Sequence, residues 1–265
     1  MMTLKRILAF LLTSLPCACG MEFSAAGADG APAVAGPQSR EHTERLVKVV
    51  ERSTAALARD AKDVDALQAR GEANFRLGRI ADSVRDFDKV VELAPDSLPY
   101  NWQRGLALYY AGRLEDGVKQ FERHRTVNPE DVENATWHYL CLAKSLGKEK
   151  GPAEARNQFI PISADTRVPL MKVHALYAGK ATVQEVIDAA KAGDPPPGAL
   201  KTQLFYAHLY IALYYEAQAD DAKAKEHMTL AATTYGVDGY MGDVARVHAW
   251  WLAQKSVPAT APAKP

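Results

Sequence analysis

Gly71, Gly78, Phe87 and Pro95 recur as Gly105, Gly112, Phe121 and Pro129, each displaced by 34 positions. Four markers sharing one displacement restrict the fold severely. A period of this length is one supersecondary unit that can hide its apolar face only against its neighbours. Between the markers, apolar residues return at intervals of three and four, as amphipathic helices require. Each marker has a physical task within a helix–turn–helix unit. Gly71 and Gly105 carry no side chain, so the second helix can approach the first. Gly78 and Gly112 end the first helix in a left-handed conformation that glycine adopts without strain. Phe87 and Phe121 are large knobs on the second helix, filling space between units. Pro95 and Pro129 stop that helix, because proline lacks the amide donor and clashes with the preceding turn. The two units lie near 64–97 and 98–131.

A degenerate third unit follows over 132–164, where Trp137 and Gly147 echo Trp102 and Gly112 but Leu140 replaces the close-packing glycine. A further unit over 205–238 is carried by Ile211, Ala212, Tyr215, Ala224, Met228 and Ala231. Arg45 to Ala61 forms a leading helix that covers the first unit. Gly239 to Gln254 supplies the closing helix that the last unit needs. The stretch 150–200 lacks unit markers and still predicts helices over Pro169–Ala178 and Thr182–Ala192. Thr182 with Glu185 makes a capping box, and Pro195-Pro196-Pro197-Gly198 reads as a stiff loop before the final unit.

A 34-residue helix–turn–helix period resembles the tetratricopeptide repeat. The expected fold is therefore all-α: a right-handed superhelix of antiparallel helix pairs, with an irregular helical middle and a C-terminal capping helix. The order of pieces is similar to NlpI-type periplasmic tetratricopeptide lipoproteins. That resemblance is carried by Trp137-His138-Tyr139-Leu140 with Ala143, by His174 to Gly179, and by Phe205-Tyr206-Ala207 to Tyr214-Tyr215. It implies a membrane-tethered scaffold that dimerises and gathers cell-wall hydrolases or a protease. It also implies that the first helices line a concave face. There the first repeat offers Asp65, Gln68, Glu72, Phe75 and Arg76, and the second Pro99, Trp102, Leu106, Tyr109 and Tyr110. Such an aromatic groove suits a peptide or helix from a partner protein. The competing reading packs the same aromatics against the next repeat.

The N-terminus predicts export. Residues 1–20 join Lys5 and Arg6 to an apolar run over Ile7–Leu15 that is too short to span a bilayer as a finished helix, followed by small residues. Two processing routes stand side by side. Cys19 could be lipidated, although Pro16 occupies the place where that pattern wants leucine, or the chain is cut after Ala26 or Ala28. The product resides in the periplasm or on a lipid anchor at the outer membrane. Residues 21–40 read as a flexible tether, 41–254 as the helical domain, and 255–265 as a disordered tail.

The 32 basic and 32 acidic residues of the 265-residue chain balance, so no global field favours nucleic acid. Beyond Cys17 and Cys19 only Cys141 remains, which gives no disulfide framework and reads as an inert core thiol. The seven histidines lack zinc-motif spacing and read as surface or partly buried side chains. No cofactor, metal or catalytic constellation is expected. The alternative is an enzyme whose site lies in 150–200 and draws on Arg156, Asp165, Arg167, Lys172 and His174. Trp250 and Trp251, adjacent on the closing helix, motivate a homodimer.

Overall fold

The computed structural model describes residues 36–255. The expected signal segment, Cys19, residues 21–35 of the tether and the tail beyond 255 lie outside the described residues. Among the described residues the fold is all-α, with twelve α-helices, one 3-10 helix and no strand. No helix among them is long and apolar enough to cross a membrane.

Helix α1 (Arg40–Arg59) starts five residues earlier than the sequence suggests, because Ser39 caps it by accepting from His42 N at 3.3 Å. The chain is already fastened one residue before that. Buried Gln38 donates to Arg76 O at 2.9 Å and accepts from Arg246 Nε at 2.8 Å. Next come α2 (Val64–Arg76) and α3 (Ile80–Leu93), a 3-10 helix (Pro95–Tyr100), then α4 (Trp102–Tyr110) and α5 (Leu114–Arg125).

The α2–α3 and α4–α5 pairs repeat the same contacts 34 residues apart. A Cβ on Gly71 would fall 2.9 Å from Phe87, and one on Gly105 would fall 2.6 Å from Phe121. Both rings are buried and seat on the glycine of their own pair, where the sequence suggested space between units. Arg70 Nη2 donates to Asp86 Oδ1 at 2.7 Å, and Arg104 Nη1 to Gln120 Oε1 at 2.9 Å. Gly78 (φ 77°) and Gly112 (φ 74°) end α2 and α4 in the left-handed region.

The third unit departs from this pattern. Helix α6 (Val132–Ser145) is full length, but its partner α7 (Gly151–Asn157) has only seven residues. A Cβ on Gly151 would fall 1.9 Å from Ala143 O, so α7 crosses directly against the α6 backbone. The loop 158–169 then folds back to the α6 N-terminus, where Glu130 Oε2 accepts from Ser163 N at 2.7 Å and Ala164 N at 3.1 Å.

Helices α8 (Leu170–Tyr177) and α9 (Val183–Lys191) fall where the sequence places them, and the Thr182–Glu185 capping box is present. Helix α10 (Pro197–Ala217) begins eight residues before the expected unit. Pro196 is its N-cap and Pro197 its first residue, a position that needs no amide donor, so the proline run opens a helix where a loop was expected. From Leu204 to Leu213 nearly every α10 side chain is buried, since α6, α8, α9 and α11 (Asp221–Ala232) surround it. Helix α12 (Tyr240–Lys255) closes the chain and packs on α11 and α2.

Candidate functional site

The expected aromatic groove is largely occupied by the chain itself. Tyr240, at the start of α12, stacks on Phe75 at 5.8 Å and meets Trp102 edge-on at 5.1 Å. Phe75 in turn meets Tyr110 at 5.5 Å, and Tyr110 meets Trp251 at 5.8 Å. Phe75, Leu106, Tyr109 and Tyr110 are all buried. A partner would have to displace α12 to reach Phe75 or Tyr110, and the competing reading of the aromatics as packing residues describes them better. Trp251 lies on Tyr110, and Trp250 is the side chain nearest Gly78. Both rings therefore have neighbours within the chain.

Polar groups hold α12 in this seat. Asp243 is fully buried. It accepts from Arg246 Nη2 at 2.5 Å, lies 3.0 Å from His42 Nε2, and pairs with Arg76. Burial alone would raise the Asp243 pKa, but Arg246, His42 and Arg76 outweigh it and hold the carboxyl below the ordinary range. Further along, the Tyr110 hydroxyl lies 2.8 Å from His248 Nδ1, and Glu216 Oε2 lies 3.1 Å from both His248 Nε2 and the Tyr109 hydroxyl. This Tyr–His–Glu chain has the partners of a proton relay. His248 is fully buried, however, and serves here as a clamp joining α4, α10 and α12. The remaining predicted positions form a polar ladder beside α12. Gln68 donates to Glu72 at 2.8 Å, and Asn101 and Gln103 reach Gln68 and Glu72 at 3.0 Å and 3.3 Å. Arg76 is spent on Asp243.

What α12 leaves uncovered is a cavity of about 240 Å³ at the far end of the groove. Trp102 and Leu106 from the predicted set line it, together with Phe121, His124, Trp137 and Met241. Its polar wall is the α6 N-terminus. Asp131 caps that helix by accepting from Glu133 N at 3.1 Å, and Asp165 from the folded-back loop accepts from Val132 N at 3.3 Å. Both carboxylates hold Arg167, whose Nη2 lies 2.6 Å from Asp131 Oδ1 and 2.6 Å from Asp165 Oδ2. Glu133 is third in line, with Oε2 3.6 Å from Arg167 Nη1.

One guanidinium thus faces three carboxylates, and Glu133 receives the least of it. Burial pushes the Glu133 pKa up to about 7. Arg167 and the Tyr210 hydroxyl work against that rise, while Asp131 and Asp165 add to it. His124 donates from Nδ1 to Pro99 O at 2.8 Å, which leaves Nε2 facing Asp131 at 3.8 Å. Two further groups of the lining are incomplete. Trp137 is 2% exposed and its indole N–H has no hydrogen-bond partner. Asn134 is 4% exposed; its amide donates to Phe121 O, but its Oδ1 accepts from nothing. Buried polar atoms without partners are costly; others in the fold lie on α12, at Tyr240 and Trp250.

Trp102 and Leu106 are the predicted positions that this cavity uses. Glu133, Asn134 and Trp137 were missed as site residues, although Trp137 is visible in the sequence as the echo of Trp102; Arg167 was named only for the alternative site in 150–200. The five residues named for an enzyme in 150–200 do not converge. Asp165 and Arg167 join the α6 N-terminus, Arg156 donates to Tyr177 O, Lys172 lies near Glu185, and His174 reaches Ile160 O while stacked on Phe159. Of the seven histidines, expected at the surface or partly buried, His124, His138, His208 and His248 are buried. Cys141 is buried as expected; burial raises its pKa, and its Sγ would meet a Cβ on Gly117 at 2.7 Å. No group of three or more metal-ligating side chains occurs among the described residues. No protein-family model matches the sequence, and no curated protein matches it.

Proposed function

We propose that the α2–α3, α4–α5 and α10–α11 pairs are tetratricopeptide repeats stacked in a right-handed superhelix. On this reading the chain is a non-enzymatic scaffold of the bacterial cell envelope that binds other proteins. The recurring Gly–Phe seat and Arg contact support the repeat assignment, and the basic, apolar, small-residue start of the chain supports export. The observation that carries the binding role is the cavity beside Trp102. It lies at the end of the face where such repeats take their partners, and its lining holds a buried donor and a buried acceptor that the chain leaves unpaired. Cell-wall hydrolases or a protease are the partner classes implied by the family resemblance. The homodimer rests on the resemblance alone, because Trp250 and Trp251 already have neighbours within the chain.

The test is affinity capture from envelope extracts of the source organism, with the mature protein and a Trp102→Ala, Glu133→Gln double variant as parallel baits. A partner held by the mature protein and lost from the variant, with helicity and melting retained, supports the scaffold. If neither bait retains a protein above a blank matrix, the scaffold reading fails.

A further inference from the structure

We infer that the cavity between Trp102, Trp137 and Glu133 is a recognition pocket for a basic side chain, the guanidinium or ammonium group of a partner polypeptide. This rests on the scaffold reading and names the chemistry of its anchor. The first ground is charge. Asp131 and Asp165 both contact Arg167 at 2.6 Å, and each also takes a backbone amide of the α6 N-terminus. Glu133 is left 3.6 Å from the only guanidinium lining the cavity. Three carboxylates thus share one guanidinium, and Glu133, the farthest from it, faces the deficit.

The second ground is the unpaired atoms. Asn134 Oδ1 needs a donor, and a guanidinium or ammonium brings several. The Trp137 N–H needs an acceptor, which the backbone carbonyl of the same peptide supplies. An isolated metal cation would offer the indole nothing.

The third ground is shape. Trp102 and Trp137 line one space, and an aromatic face attracts a cation brought out of water. The volume of about 240 Å³ lies below the roughly 300–1,000 Å³ of small-molecule sites, which suits one long side chain inserted from a bound segment.

Proton linkage follows from this placement. A bound cation requires ionised Glu133, so protons and ligand compete for the same carboxylate. Around Glu133 stand Arg167 and Asp165 from the loop, Asp131 at the α6 cap, and Tyr206 and Tyr210 from α10, with His124 of α5 across the cavity. The His124 Nδ1–H is held by Pro99 O. Affinity should fall by up to about tenfold per pH unit below 7.

The experiment measures binding of four blocked tripeptide amides, with arginine, lysine, norleucine or glutamate at the centre, to the mature protein and to its Glu133→Gln variant. Titrations at pH 8 and pH 6 are followed by NMR of the tryptophan indole N–H signals. The expected result is binding of the arginine and lysine peptides only. It should weaken about tenfold at pH 6 and by a similar factor in Glu133→Gln, with the Trp137 indole signal shifting on binding. Equal binding of the norleucine peptide, preference for glutamate, or unchanged affinity in Glu133→Gln would each overturn the inference. Its failure is distinguishable from failure of the scaffold reading. In the first case envelope partners are captured equally by wild type and Glu133→Gln; in the second none is captured at all.

Discussion

The two ends of the face made by α2 and α4 treat their carboxylates in opposite ways. Under α12, fully buried Asp243 is met by Arg76, Arg246 and His42 and is held ionised. At the open end, Glu133 shares a single guanidinium with two better-placed acids, and its pKa rises to about 7. Both ends are lined by aromatics, so hydrophobic character does not separate them. Charge balance does, since unpaired polar atoms occur at both, at Tyr240 and Trp250 on α12 and at Asn134 and Trp137 by the cavity. Where one buried carboxylate meets two guanidiniums, the chain has finished a core. Where three carboxylates share one guanidinium, the charge is left short. The aromatic side chains alone would have pointed to the covered end.

The comparison is broken most directly at Asp243. Replacing it by alanine leaves two guanidiniums and the His42 ring around a buried hole, and breaking a buried pair in this way costs about 3–5 kcal/mol. Urea unfolding at pH 7 should show that loss, and a cost below about 1 kcal/mol would mean that α12 is only loosely seated. Because the Asp243 pKa is depressed, its contribution is present above the usual aspartate range and disappears as acid protonates it.

Glu133 carries the opposite sign. Its folded pKa of about 7 lies above the ordinary 4.5, so the native state loses stability as pH rises between those values and does not regain it above them. Glu133→Gln should therefore be more stable than wild type at pH 8 by roughly 3 kcal/mol and equal to it below pH 4.5. A variant less stable than wild type at pH 8 would show that Glu133 is a finished structural residue like Asp243.

How much of this was legible in the sequence differs between the same two ends. The period announced the α2–α3 and α4–α5 pairs, because Gly71 and Gly105 allow close packing and Gly78 and Gly112 must turn left, but not the 3-10 helix Pro95–Tyr100 across the expected boundary. Trp102 and Leu106, which the family resemblance put on the groove, line the cavity. The plug was not legible. That Tyr240 and Trp251 come back onto Phe75 and Tyr110 depends on the path of the whole chain, and no local pattern carries it. Glu133 had no sequence signal either. It is one acid among 32, and its perturbation comes from a loop that returns Asp165 and Arg167 to the α6 N-terminus. The proline run before α10 misled for a local reason, since Pro197 fits the first position of a helix as readily as it fits a loop.

The smallest expected effects sharpen the comparison by touching each end from beneath. Gly71→Ala and Gly105→Ala each press a methyl group onto the phenylalanine of the partner helix, at 2.9 Å and 2.6 Å. Overpacking of this kind costs about 1–3 kcal/mol, with Gly105→Ala the costlier because its contact is closer. Their consequences for the site should separate. Phe87 seats on Gly71 away from the cavity, whereas Phe121 both seats on Gly105 and lines the cavity, and its backbone oxygen holds the Asn134 amide. Gly71→Ala should lower the melting temperature and leave the titration of Glu133 near pH 7. Gly105→Ala should lower it further and shift that titration, which carbon-13 NMR of the glutamate carboxyl follows directly. Equal shifts in both variants would mean that the two ends move as one body, and that the open end owes its chemistry to the repeat stack as a whole, not to the loop that returns Arg167 to it.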